Sequence, residues 1–112
     1  MSGLKQVNQI RTNKVSEKNN IYYTLYVDGY TRTAQLKVHS NNNFSISTGQ
    51  ANYEITDLIP SEYRPKANMF QFVSRSQYLS AYVWSNGYVG ISNFYGSGLS
   101  DQSANCLFEW EY

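Results

Sequence analysis

The sequence predicts an all-β domain, an antiparallel β-sandwich or jelly roll of about eight strands. Three observations carry this. Short runs alternate between apolar and polar residues, and Gly, Asn, Asp and Ser clusters divide them at regular spacing. No stretch sustains a helical period. Asn86-Gly87 stands between two alternating runs, the strongest short-range sign of a β-hairpin. At 112 residues the chain is one domain, residues 1–112, with enough length for a modest core.

The stretch Tyr78 to Phe94 organises the rest. A type I′ turn at Asn86-Gly87 sets Ser85 opposite Tyr88, Trp84 opposite Val89, Tyr82 opposite Ile91 and Ser80 opposite Asn93. One face then carries Trp84, Val89, Tyr82 and Ile91, and the other Val83, Ala81, Leu79, Gly90 and Phe94. Both faces are apolar and the stretch holds no charge. A hairpin with one wet face would be polar on one side. The expectation is a hairpin covered on both sides, inside a sandwich or with one face against another subunit.

In chain order, Met1 to Gly3 reads as a start plus spacer, Leu4 to Ile10 as a short strand and Arg11 to Asn20 as an exposed loop. Ile21 to Val27 is a strand with Ile21, Tyr23, Leu25 and Val27 on one face. Asp28-Gly29 signals a second hairpin. Thr31 to His39 then alternates cleanly, with Ala34, Leu36 and Val38 inward and Thr33, Gln35, Lys37 and His39 on a wet face. Residues 40–43 form a turn cluster. Phe44 to Ser47 and Ala51 to Thr56 are short strands. The only candidate helical turn is Ser61-Glu62-Tyr63, kept short by Pro60 and Pro65. Asn68 to Arg75 is a strand, and Ser76-Gln77 turns the chain into the central hairpin. Tyr95 to Ser103 reads as a flexible loop. Ala104 to Tyr112 closes the domain, with Cys106, Phe108, Trp110 and Tyr112 on one face and Glu109 and Glu111 outward.

Composition narrows the function. A net charge of +1 argues against a nucleic-acid partner, which needs a basic surface. Charged residues make up only 15%, while there are eleven tyrosines. Tyr-, Ser- and Asn-rich surfaces suit recognition, because Tyr offers wide contact at low entropy cost; Tyr also simply favours strands. Cys106 is the only cysteine, so no intrachain disulfide and no cysteine metal cluster can form. It reads as a small buried hydrophobe. The sequence shows no signal-peptide pattern and no apolar run long enough to span a membrane.

Catalytic chemistry has little to work with. His39 is the only histidine, and nothing near it suggests a nucleophile elbow or an oxyanion turn. The acidic residues are scattered except Glu109 and Glu111, which fall on the outward face of the last strand. There is no phosphate-cradling glycine loop. The sequence therefore predicts no enzyme, no metal and no cofactor.

One segment supplies a resemblance. Leu58-Ile59-Pro60-Ser61-Glu62-Tyr63-Arg64-Pro65 resembles a segment common near the C-termini of tail-tip, baseplate and tail-fibre proteins of phages and prophages of Gram-positive bacteria. Trp84 to Ile91 is similar to the strand pair that follows it there, and Phe108 to Tyr112 to the closing aromatic strand. The resemblance runs from Asp57 to the end. Read from the residues alone, the two prolines make a rigid crossover. Tyr63 plugs the core edge and Arg64 donates to loop carbonyls.

The resemblance implies the terminal receptor-binding module of a longer tail protein, carried on the virion and adhering to host cell-wall saccharide. It implies a homotrimer that contacts other tail or baseplate proteins, without membrane insertion. The other outcome is a structural trimerisation cap that binds no ligand. For a saccharide, Tyr95 can stack on a pyranose ring, Asp101 can accept hydroxyl hydrogen bonds, and Asn93 can donate and accept. The Tyr82 and Trp84 surface is the other expected binding face.

Overall fold

The computed structural model describes residues 9–16, 21–41, 43–73 and 78–112. The described residues form ten strands and one 3-10 turn, Ser61–Tyr63. Every strand pairing is antiparallel. The first sheet has the order β1-β2-β3-β10, formed by Gln9–Ser16, Ile21–Asp28, Thr33–Ser40 and Asn105–Glu111. The second has the order β5-β8-β7-β6, formed by Gly49–Ile55, Val89–Asn93, Leu79–Val83 and Met69–Phe72. A short third sheet pairs β4, Phe44–Ile46, with β9, Leu99–Gln102.

One core joins the two large sheets. Ile21, Tyr23, Leu25 and Val27 of β2, and Ala34, Leu36 and Val38 of β3, are all buried. They meet Cys106, Phe108 and Trp110 of β10, and Leu79, Ala81, Val83, Val89 and Ile91 of the second sheet. The alternation read from β2, β3 and β10 is thus the alternation of burial. Cys106 is buried, and burial pushes its thiol up to about 12. The crossover after β5 also follows the sequence. Leu58 and Ile59 are buried, Arg64 is extended (φ −73°, ψ 148°), and its Nε donates to the Ile59 carbonyl at 3.0 Å. Trp110 Nε1 donates to the Tyr63 carbonyl at 2.7 Å, which ties the turn to β10.

Four expectations are corrected. Residues 11–16 are strand β1, not loop, paired residue for residue with β2. Residues 99–102 are strand β9, held by pairing with β4 rather than by any apolar pattern of their own. The Asp28-Gly29 signal yields a four-residue connection, since Asp28 pairs with Thr33. Asp28 Oδ1 accepts the Tyr30 N–H, and Arg32 takes the left-handed position at φ 56°.

The central hairpin is out by one residue. Val83 pairs with Val89, Tyr82 with Gly90, Ala81 with Ile91, Ser80 with Ser92 and Leu79 with Asn93. The connection is three residues, 85–87, closed by the Gly87 N–H to the Trp84 carbonyl at 2.8 Å. Gly87 alone has positive φ, 90°, and Asn86 does not, so this is a turn followed by a glycine bulge, not type I′. The slip puts the aliphatic residues Leu79, Ala81, Val83, Val89 and Ile91 together on the inner face. Every residue of the two hairpin strands is buried, Ser80, Tyr82, Gly90 and Ser92 on the outer side included, with Trp84 stacked over Tyr82. The expected strand at 4–8 and the loop residues 17–20 lie outside the described residues, as do 1–3 and 74–77.

Candidate functional site

Alternation in the second sheet sends Phe70, Phe72, Ser80, Tyr82, Gly90 and Ser92 to its outer side. Phe70 stands opposite Tyr82 and Phe72 opposite Ser80, while Tyr82 faces Gly90 across the hairpin. Gly90 has no Cβ, and the Tyr82 ring fills that space: a Cβ there would meet Tyr82 Cε2 at 3.0 Å and its hydroxyl more closely still. This seats Tyr82 against the sheet, so it is 1% exposed although it points outward. Its hydroxyl donates to the Glu54 carboxylate on β5. Burial first, then the hydrogen bond and the charge of Glu54, raise the Tyr82 phenol well above its ordinary value.

Trp84 lies on Tyr82, with ring centroids 4.2 Å apart and planes inclined by 14°. Phe70 is 73% exposed and Phe94 is 60% exposed. With Ser80, Tyr82, Trp84 and Ser92 they line a groove of about 180 Å³. Ser80 Oγ donates to the Gln71 carbonyl at 3.3 Å. Among the described residues no charged side chain lines the groove. The arrangement offers flat aromatic surface with a narrow serine floor, suited to an uncharged partner with an apolar face.

No family model, curated protein or solved structure matches the chain. The geometry must carry the functional argument alone. Among the described residues no three His, Cys, Asp or Glu side chains come together as a metal site, and no helix is long and apolar enough to cross a membrane.

Of the five residues expected at a binding site, Tyr82 and Trp84 stand together in this groove. Asn93 is turned inward at the end of β8 and is 2% exposed. Its amide donates to the Ile46 and Ser97 carbonyls at 3.4 and 3.2 Å, and its Oδ1 accepts the Tyr95 N–H at 2.9 Å. The Tyr95 ring leans on Tyr78, centroids 4.6 Å apart, and its carbonyl accepts the Thr48 hydroxyl. Asp101 is exposed on β9 with φ 54°. Asn93 and Tyr95 therefore hold the loop in place through one shared hydrogen bond.

Phe70, Phe94, Ser80 and Ser92 belong to the groove without having been singled out. A signal existed: Phe70 and Phe72 share one side of their strand with no polar residue between them on that side. On the opposite sheet, His39 stacks on Tyr22, centroids 5.1 Å apart at 18°. Burial first and Lys37 second lower its pKa below the ordinary value, which keeps the ring neutral at pH 7.

Proposed function

We propose that this domain is the receptor-binding module of a phage or prophage tail, adhering to host cell-wall saccharide without turning it over. The observation that carries the reading is the aromatic groove of the second sheet. Trp84, braced from beneath by Tyr82, presents a ring to the C–H face of a sugar. Phe70 and Phe94 wall the groove, and Ser92 and Ser80 supply hydroxyls at its floor. The module works on the outside of the virion, as a homotrimer joined to other tail or baseplate proteins. The test is adsorption to purified cell walls, with a glycan array beside it, for wild type, Trp84→Ala and Phe94→Ala. Both variants lose adsorption while their melting temperatures hold. Full adsorption by both variants sinks the reading.

A second reading is a trimerisation cap of a fibre or baseplate that binds no ligand. It is favoured by the exposed rings of Phe70, Phe72 and Phe94, a composition typical of subunit contacts. Solution mass separates the two. A trimer that falls to monomer in Phe70→Asp with Phe94→Asp, from a wild type with no glycan binding, selects the cap. A monomer at high concentration removes it.

A further inference from the structure

A second concave surface lies at the end of the sandwich where the short sheet meets β5. Its volume is about 550 Å³, within the roughly 300–1,000 Å³ of small-molecule sites. Ser45 and Ser47 form one wall, Gly98, Leu99 and Ser100 the other, and Tyr53 stands between them. We propose that this cleft is a binding site for a neutral pyranose sugar, separate from the aromatic groove.

Chemistry selects the ligand class. The cleft is lined by three serines, Tyr53, Leu99 and the backbone of Ile46, and among the described residues no carboxylate, ammonium or guanidinium lines it. A charged ligand would find no counter-charge. None of the three serine hydroxyls is engaged among the described residues, so each can both donate and accept, as sugar hydroxyls do. The Tyr53 ring and Leu99 give the apolar surface that a pyranose C–H face needs.

The surroundings hold this cleft in shape. Tyr53 has φ 55°, a left-handed conformation unusual for an aromatic residue. Two hydrogen bonds fix it there: its hydroxyl donates to the Ser45 carbonyl at 3.0 Å, and its own carbonyl accepts the Tyr23 hydroxyl from the core at 3.1 Å. The β5–β8 register shifts on both sides of Asn52, and the β4–β9 register shifts between Phe44 and Ile46. Strained residues and bulges that are held this firmly re-aim side chains at sites. On the other wall Gly98 approaches the Ile46 carbonyl, 3.4 Å from where a Cβ would stand. Asn93 reaches that same carbonyl from behind. Asn93 is here a positioning residue, not a contact.

The experiment is a titration of the isotope-labelled chain with neutral methyl pyranosides and N-acetylhexosamines, followed by amide chemical shifts. Saturable shifts confined to 45–47, 53 and 98–100 support the site. Ser100→Trp fills the cleft from an exposed position and weakens that binding by about tenfold or more. Ser47→Trp does the same from the opposite wall, so misfolding of one variant leaves the other as the test. Trp84→Ala leaves these shifts in place, which separates the cleft from the groove. No saturable shift with any neutral sugar, shifts that map to 70, 84 and 94 alone, or cleft shifts that survive both tryptophan variants overturns the proposal.

Discussion

The two large sheets are alike inside and opposite outside. Both inner faces are apolar and buried, aromatic as well as aliphatic in the first sheet, and both follow period-two alternation. The outer face of the first sheet carries Gln35, Lys37, His39 and Glu109, with Gln35 Nε2 donating to Glu109 at 2.6 Å. The outer face of the second carries Phe70, Phe72, Tyr82 and Trp84 over Ser80, Ser92 and Gly90. The first of these faces is mostly polar, although Tyr26 and Leu107 are also exposed on it. On the other, Phe70 and Phe72 stand 73% and 61% exposed. The same alternation rule thus separates a largely polar outer face from an aromatic one, once the register is right.

The largest break in this comparison comes from Gly90. Val there cannot share space with the Tyr82 ring, so the ring must lift and carry Trp84 with it. Gly90→Val lowers stability by about 3 kcal/mol, the upper range for overpacking. Gln35→Val on the other outer face changes it by no more than about 0.5 kcal/mol. Urea unfolding of the two variants checks this; equal midpoints would mean that Tyr82 does not depend on the glycine.

Alkali separates the inner face from the outer one. The Cys106 thiol, inside the first sheet, is raised from 9.0 to about 12 by burial. The unfolded chain releases this proton near pH 9 and the folded chain holds it. Stability is therefore complete below pH 9 and falls as pH rises towards 12, by at most about 1.4 kcal/mol per pH unit for one proton. Tyr82 and Tyr23, raised from 10.0, join only above pH 10. Melting curves of Cys106→Ala should stay flat from pH 9 to 10 where wild type declines. Parallel curves would place the sensitive group elsewhere.

Much of this contrast was legible in the sequence, and the part that was not turned on one residue of register. β2, β3 and β10 could be read because each alternates over seven or eight residues. The hairpin has apolar residues on both faces, so alternation could not arbitrate between registers, and Asn-Gly serves a two-residue turn and a glycine-bulge turn alike. The clue lay in Gly90: a glycine inside a strand marks a close approach, here by an aromatic ring across the pair. β9 and the cleft beside it were illegible because β9 is held by pairing with β4. Residues 99–102, Leu-Ser-Asp-Gln, carry no pattern of their own. Asn93 was recognised as important and assigned the wrong direction, since an amide at a strand end can face a ligand or its own loop.

A smaller effect sharpens the outer face of the second sheet. Tyr82→Phe removes the hydrogen bond to Glu54 but keeps the ring that supports Trp84. Glu54 is only half-buried, so water replaces the lost donor, and stability falls by about 1 kcal/mol. Cell-wall adsorption should be unchanged. A loss of adsorption in Tyr82→Phe with normal melting would move the hydroxyl from support to contact.

The smallest effect tests whether the first sheet's outer face responds to acid while the second's does not. His39 lies flat on Tyr22 of β2, with Lys37 two residues away on β3 and the polar Asn105 opposite it on β10. Its Nδ1 is buried without a hydrogen-bond partner among the described residues. Burial and Lys37 both disfavour the charged ring, and its pKa is lowered from 6.5. As pH falls below 6.5 the unfolded chain takes up the proton first. Stability contributed by the neutral ring is thus present above pH 6.5 and is lost as pH falls through the lower folded value. Part of the ring stays in water, so the loss is no more than about 0.5 kcal/mol. His39→Gln should flatten the melting temperature across this window, and Trp84→Ala should leave the slope untouched. A wild-type slope that survives His39→Gln would assign the acid response to carboxylates, which titrate lower.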